Sequence, residues 1–220
     1  MKFAPYIVTI CAVAGLATPA ANAQSLRLVA EGHEVGEPLE VHVGDTISLQ
    51  IIADFERLST AGLAAYVTVP DGIFAVQDLG LPGQVGTQPF RTGPLFSGSV
   101  VATNVLLTEG GGTAAAVPGQ QLDLAALFGL GSRGKATGVG VVATFEMLAV
   151  QPAQEAVIRI DDNPVRETRM VLADGRTERR FNTTSDLIIS VSNPLVSHVA
   201  DEAWGRIKQV STGAVRGELY

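Results

Sequence analysis

Residues 136–150, ATGVGVVATFEMLAV, constrain the chain more than any other stretch. Val139, Val141, Ala143, Phe145, Met147 and Ala149 alternate with Gly138, Gly140, Val142, Thr144, Glu146 and Leu148. A two-residue period rich in β-branched side chains marks a strand with one face in a core. A helix does not fit, since Gly138 and Gly140 would each cost it about 1 kcal/mol relative to Ala. At about 3.3 Å per residue the segment is long enough to cross a domain. It is expected to be a central strand of a β-sandwich that buries Val139, Val141, Phe145 and Met147.

Other segments read as its neighbours. Residues 25–30 and 39–43 are short and extended. In residues 46–54, Ile47, Leu49, Ile51 and Ala53 share one face. In residues 62–70, Leu63, Ala65, Val67 and Val69 do the same. Asp71-Gly72 is a tight-turn dipeptide leading to a strand at 73–78, so this part of the chain is expected to form an antiparallel meander. Residues 79–99 hold five glycines and three prolines and form a long irregular excursion. Such a loop on a rigid scaffold often carries function, but Phe90 and Phe96 are expected to plug an edge of the core. A strand follows at 100–108, then a Gly/Ala-rich loop at 109–119. Residues 122–128, LDLAALF, have helical spacing, with Asp123 near the start and Gly129 past the end, so one short helix is expected there. Residues 156–160 and 168–172 read as a strand pair joined by 161–167. Asp174-Gly175 turns the chain, and residues 187–191 close the domain. The count is about eight to ten short strands at close spacing, hence an all-β single sandwich over residues 24–192.

Residues 1–23 are expected to be a signal peptide. Lys2 supplies a positive start, residues 6–18 are apolar, and Ala21-Asn22-Ala23 is a small-x-small cleavage site. The apolar run is too short for a comfortable membrane span. Cys11, the single cysteine, follows Ile10 inside the apolar run, which does not suit an acylation site. Cleavage leaves residues 24–220 with no thiol, and no disulfide is needed in a domain of this size. It moves the net charge from −7 to −8, because Lys2 is the one charged residue removed. An acidic surface disfavours nucleic acid and anionic membranes as partners. No second apolar run reaches about 20 residues, so no membrane span is expected after cleavage.

The chemistry-bearing residues form no recognisable centre. His33, His42 and His198 stand in no metal-ligand spacing, and neither a Gly-x-Ser-x-Gly elbow nor a phosphate-cradling loop occurs. No catalytic residue, cofactor-binding residue or metal ligand is therefore assigned, and no cofactor is expected. His33 with Glu31 and Glu34 reads as a solvated acidic loop. Asp161 and Asp162 are adjacent and point apart, so they cannot flank one glycoside. With Asn163 they could offer oxygens to calcium, but a polar turn is the expectation. Arg166, Arg169, Arg176, Arg179 and Arg180 could bind an acidic glycan or partner. Glu167, Asp174 and Glu178 are interleaved with them, so cross-strand ion pairs are expected instead. Tyr66, on the non-core face of its strand, is a thin basis for sugar stacking. Trp204 and Tyr220 lie in a tail.

That tail, residues 193–220, follows Pro194, which ends the sandwich. Val196, Val199, Ala200, Ala203, Ile207 and Val210 recur at helical spacing, and Glu202 and Arg206 pair at i,i+4. Residues 199–210 are expected to form a short amphipathic helix. The tail is then either frayed or a docking or sorting segment anchored by Trp204.

The order of segments resembles the bacterial cohesin domain, within the wider carbohydrate-binding-module group of β-sandwiches. The matching pieces are VHVGDT at 41–46 running into an alternating strand, residues 62–70 followed by 73–80, residues 138–150, and LIISV at 187–191. The resemblance implies a flattened jelly roll of about nine strands that binds other molecules and is not an enzyme. Its members engage dockerin modules in extracellular polysaccharide-degrading assemblies, and its relatives bind polysaccharide directly. The expected partner is thus a dockerin-like protein or a polysaccharide, with the shortage of Trp and Tyr favouring protein. The alternatives are a surface-layer component and a hydrolase built from scattered carboxylates. Residues 79–99 and 166–180 do not align with a known binding face, so the partner-binding residues are left unknown.

The leader generates the first prediction. Mass spectrometry of the exported protein is expected to find Gln24 at its N-terminus. Intact Met1 on material held in a membrane fraction would contradict cleavage.

Overall fold

A computed structural model describes residues 24–81, 86–107, 119–129, 134–161 and 167–194. It is all-β. The strands are β1 (Ser25–Ala30), β2 (Leu39–His42), β3 (Thr46–Asp54), β4 (Thr60–Val69), β5 (Phe74–Val76), β6 (Arg91–Thr92) and β7 (Val100–Leu107). There follow β8 (Gln120–Leu127), β9 (Val139–Ala149), β10 (Ala153–Asp161), β11 (Arg169–Leu172), β12 (Glu178–Arg180), β13 (Thr183–Ser185) and β14 (Leu187–Ser192). One 3-10 turn, Pro94–Phe96, is the single helical element among the described residues. No helix among them is long and apolar enough to cross a membrane.

Two sheets face each other. The first runs β13-β1-β3-β9, and the far edge of β9 is shared by β5 and β6. The second is built on β4. Its residues 62–69 pair with β8, which carries β7 outside it. Its other edge is shared end to end by β11 and β10, with β12 beyond β11, and β14 then β2 beyond β10. The two ends of the sandwich strand set run side by side: β1 is parallel to β13, and β2 is parallel to β14.

The alternating apolar rows dictate this arrangement. Ile47, Leu49, Ile51 and Ala53 of β3 are buried against Leu63, Ala65, Val67 and Val69 of β4 in one core cluster. Burying each large member contributes about 1.5–3 kcal/mol. Phe145 sits opposite Leu49 in the β3–β9 register, its ring edge-on to Phe90 at 5.4 Å. A second aromatic group, Phe55, Phe96, Phe128 and Phe181, closes one end of the core, with Phe96 stacked on Phe128 at 5.4 Å. Phe90 and Phe96 thus plug the core as expected, both almost wholly buried. Gly93 lets their segment lie on β9: its N–H reaches the Val142 carbonyl at 2.7 Å, and a Cβ there would collide with the Val141 carbonyl.

Four expectations are corrected. Residues 122–128 are not a helix, because they lie within and just after β8. Leu122, Leu124, Ala126 and Phe128 point inward at a two-residue period, and β4 and β7 pair with the strand from both sides. LDLAALF satisfies both periods, and pairing on two edges decides for the strand. Strands β3, β4 and β5 do not form a meander. The chain passes from the first sheet to the second and back, because each strand has one apolar face to bury and the two faces meet between the sheets. Strands β10 and β11 do not pair with each other but occupy successive parts of one β4 edge. Finally, Val139 is 60% exposed, and Val141 is only partly buried. The register slips between Ile51↔Ala143 and Ile52↔Val141, so Val142 is an extra residue on β9. This bulge reverses the alternation below it, burying Val142 in place of Val139 and Val141. Residues 1–23, Asp162, Asn163, Arg166 and the tail from residue 195 onward, for which the sequence raises expectations, lie outside the described residues.

The bulge yields a paired test. In a denaturant titration Phe145→Ala is expected to cost about 3–5 kcal/mol. Val139→Ala, beyond the bulge, is expected to stay within about 0.5 kcal/mol. A loss below about 1 kcal/mol for the first, or similar losses for both, would refute this register.

Candidate partner-binding face

One outward sheet face is built by β4, β8 and β7, flanked by β10 and β11. Residues paired across strands share a face, so the register gives its rows. Val171, Gly62, Leu127 and Val100 form one row. Arg169, Ala64, Ala125 and Thr103 form the next. Asp161, Tyr66, Asp123 and Val105 follow, then Arg159, Thr68, Gln121 and Leu107.

The rows differ in character. Gly62, Ala64 and Ala125 carry little or no side chain, so the small area they make within the first two rows is flat. A Cβ on Gly62 would already touch Leu127. Val100, 60% exposed, and Leu127, 40% exposed, stand directly opposite each other at the rim of this flat area. They place two large apolar side chains side by side in water. In the third and fourth rows Tyr66, Asp123 and Gln121 are buried although their strands turn them away from the sandwich core. The Tyr66 N–H donates to Thr168 Oγ1 at 3.1 Å, and the Thr168 hydroxyl donates to the Asp161 carbonyl at 2.7 Å. This ties the start of β11 to the end of β10 across the point where they meet on β4.

Of the arginines placed in the late part of the sequence, Arg169 and Arg180 form the expected cross-strand ion pairs. Arg169 and Arg180 face each other across β11 and β12, a like-charge pairing that needs compensation. Glu178 supplies it to Arg169 at 2.6 Å, and Glu167 supplies it to Arg180. The Arg180 hydrogen bond, with its charge, holds the Glu167 carboxyl below the usual range. Asp174 organises the turn between the two strands. It accepts from the Arg176 N–H at 2.9 Å and the Thr177 N–H at 2.8 Å, and also from the Thr177 hydroxyl. On β10, Arg159 lies 3.7 Å from Asp186. Burial raises the Asp186 carboxyl nonetheless, outweighing the pull of Arg159.

The remaining sequence candidates are not gathered into a centre. Glu31, His33 and Glu34 lie in an exposed loop. His42 is on β2 and meets Asp45, whose carboxylate accepts the His42 N–H at 2.8 Å. Asp161 ends β10. Among the described residues no group of three or more His, Asp or Glu could hold a metal ion. Sequence reasoning missed the Val100–Leu127 pair. Each is an ordinary strand residue, and the outward apolar row emerges only from the β7–β8 register.

The fold is similar to known ones. It resembles a type II cohesin domain from the cellulosome of Acetivibrio cellulolyticus, with a TM-score of 0.54 and 11% identity over 76% of this chain and 95% of that one. It also resembles the cohesin of a type I cohesin–dockerin complex from Clostridium thermocellum, with a TM-score of 0.53 and 8% identity over 81% and 99%. A third similar structure is the cohesin ScaC in complex with the ScaB dockerin, from Acetivibrio cellulolyticus, with a TM-score of 0.52 and 11% identity over 77% and 99%. No protein-family model matches the sequence, and no curated protein matches it. The chain therefore has a cohesin-like fold.

The Asp174 turn carries a pH prediction. Its hydrogen bonds, that of the Thr177 hydroxyl first, lower the carboxyl from 3.8 to about 2. A lowered folded-state pKa means that this contribution is complete above the unfolded value and is lost as pH falls through the folded one. Carboxyl NMR is expected to show Asp174 titrating near 2, with amide protection in the β11–β12 turn falling over the same acid range. Titration near 3.8 would mean that the turn hydrogen bonds are not formed in solution.

Proposed function

We propose that this protein is an exported, non-catalytic binding module that engages a dockerin-type protein partner through the outer face of β4, β8 and β7. The observation that carries this reading is the flat, small-residue area bordered by the exposed Val100–Leu127 pair, on a cohesin-like sandwich. Flatness lets a partner's backbone approach closely, and the apolar pair at its edge supplies side chains that a partner can desolvate. Residues 1–23 act as the export signal, residues 24–192 form the module, and residues 193–220 follow it as an appendage. The site of action is extracellular or at the cell surface, in polysaccharide-related assemblies. Two features make a protein a better partner than a polysaccharide. Among the described residues the face carries no exposed aromatic platform, and Tyr66, the one tyrosine among them on it, is buried.

The test is capture by immobilised dockerin modules run beside a panel of insoluble polysaccharides. Dockerin capture is expected, with no retention on glycan. Val100→Asp combined with Leu127→Lys, which leaves opposite charges facing each other across β7 and β8, is expected to weaken it at least about a hundredfold with little change in Tm. Val139→Asp, on the opposite sheet, is expected to leave it unchanged. Retention on glycan alone, or dockerin binding indifferent to the Val100 and Leu127 changes, would overturn the reading.

A further inference from the structure

A cavity of about 360 Å³ opens at the side of the sandwich where the segment around β6, on the first sheet, approaches β7 of the second. Leu79, Leu81 and Val101 form its walls, and Phe90, almost fully buried, is its floor. Its volume falls at the lower end of the range for small-molecule sites. The polar lining consists of Asn104, Arg91 and Thr92.

The walls are pinned. Asp78 accepts the N–H groups of Gly80 and Gln88, each at 3.0 Å, and the Leu79 N–H reaches the Gln88 carbonyl at 3.0 Å. These bonds clamp the two ends of the excursion that carries Leu79 and Leu81. Asn104 fixes the floor, accepting the Phe90 N–H at 2.9 Å and donating to the Phe90 carbonyl at 2.8 Å. Both ends of its carboxamide are thereby occupied. Arg91 and Thr92 remain to meet a ligand's polar end. Both are exposed, and Arg91 forms no ion pair among the described residues. A cleft held open by hydrogen bonds keeps apolar surface in water without paying the ordering cost on binding. Leu81, 42% exposed, is part of that surface.

We propose that this cleft binds a small amphipathic carboxylate. An aromatic or branched aliphatic body fills the space between Leu79, Leu81, Val101 and Phe90. The carboxylate sits at the rim, where the planar Arg91 guanidinium can take it in a two-pronged hydrogen bond and the Thr92 hydroxyl can donate to it. A sugar suits the site poorly, because its hydroxyls would face apolar walls and an Asn104 already engaged with Phe90. The site is separate from the outer face of β4, β8 and β7 and does not depend on the function proposed for that face.

The test is a methyl NMR titration of the purified protein with phenylbutyrate, phenylbutanol and phenylbutylamine. Saturable shifts are expected at Leu79, Leu81 and Val101, with affinity falling from carboxylate to alcohol to amine. Arg91→Gln is expected to weaken phenylbutyrate about five- to tenfold and leave phenylbutanol unchanged. Arg91→Lys should restore part of the loss, and Leu81→Asn should weaken both ligands. Amide spectra unchanged outside the cleft will show that each variant is folded. The absence of any saturable shift, equal affinity for carboxylate and alcohol, or indifference to Arg91→Gln would each overturn the proposal.

Discussion

The antiparallel pairing of β3 with β9 is the constraint on which the rest of the structure depends. All nine residues of β3 have partners on β9, and this pairing places Leu49 beside Phe145 and Ile47 beside Met147 at the centre of the first sheet. A one-residue slip of either strand would turn its whole apolar row to solvent. The bulge at Val142 is a tolerated local slip of this kind. It lets β9 keep Ala143, Phe145, Met147 and Ala149 in the core while its first residues leave for the surface. The same place receives the Gly93 N–H at the Val142 carbonyl. The irregularity in β9 thus coincides with the docking point of the excursion that bears Phe90 and Phe96.

What could be read from the sequence follows from what burial imprints on it. A strand with one face in a core must alternate, and β3 and β4 announced themselves by alternating without interruption. The Val142 bulge could not be read in that way. Val141, Val142 and Val139 are all apolar, so no residue type records which of them the extra position displaces. The β8 segment failed for the opposite reason, since its leucines and alanines meet a helical and an extended template equally well. The partners on its two edges, which decide the matter, lie 14 to 65 positions away in the chain. Pairing between distant strands is also why the meander was expected where a crossing between sheets occurs.

The surfaces were less legible than the core, and for a related reason. A flat binding area is made of residues chosen for small size, and Gly62, Ala64 and Ala125 look unremarkable one by one. The cleft beside β7 is held open by Asp78 and Asn104, which read in isolation as ordinary loop and strand residues. Their importance lies in backbone groups ten and fourteen positions away that they hold. The pairing of Arg169 and Arg180 with acidic neighbours was legible, because charges of opposite sign spaced along a hairpin leave few ways to pair.

The parallel course of β1 beside β13, and of β2 beside β14, has a consequence for load. Tension applied between residues 24 and 194 would draw two neighbouring strand pairs past each other along their own axes. The hydrogen bonds of each pair then resist together, whereas a hairpin pulled at its open end yields them one at a time. Separation of these strands must also expose Leu26, Leu39, Ile189 and Val191, whose side chains are buried in the common core. Tension along the line joining residues 24 and 194 is therefore resisted by shear of paired strands and by the core they share.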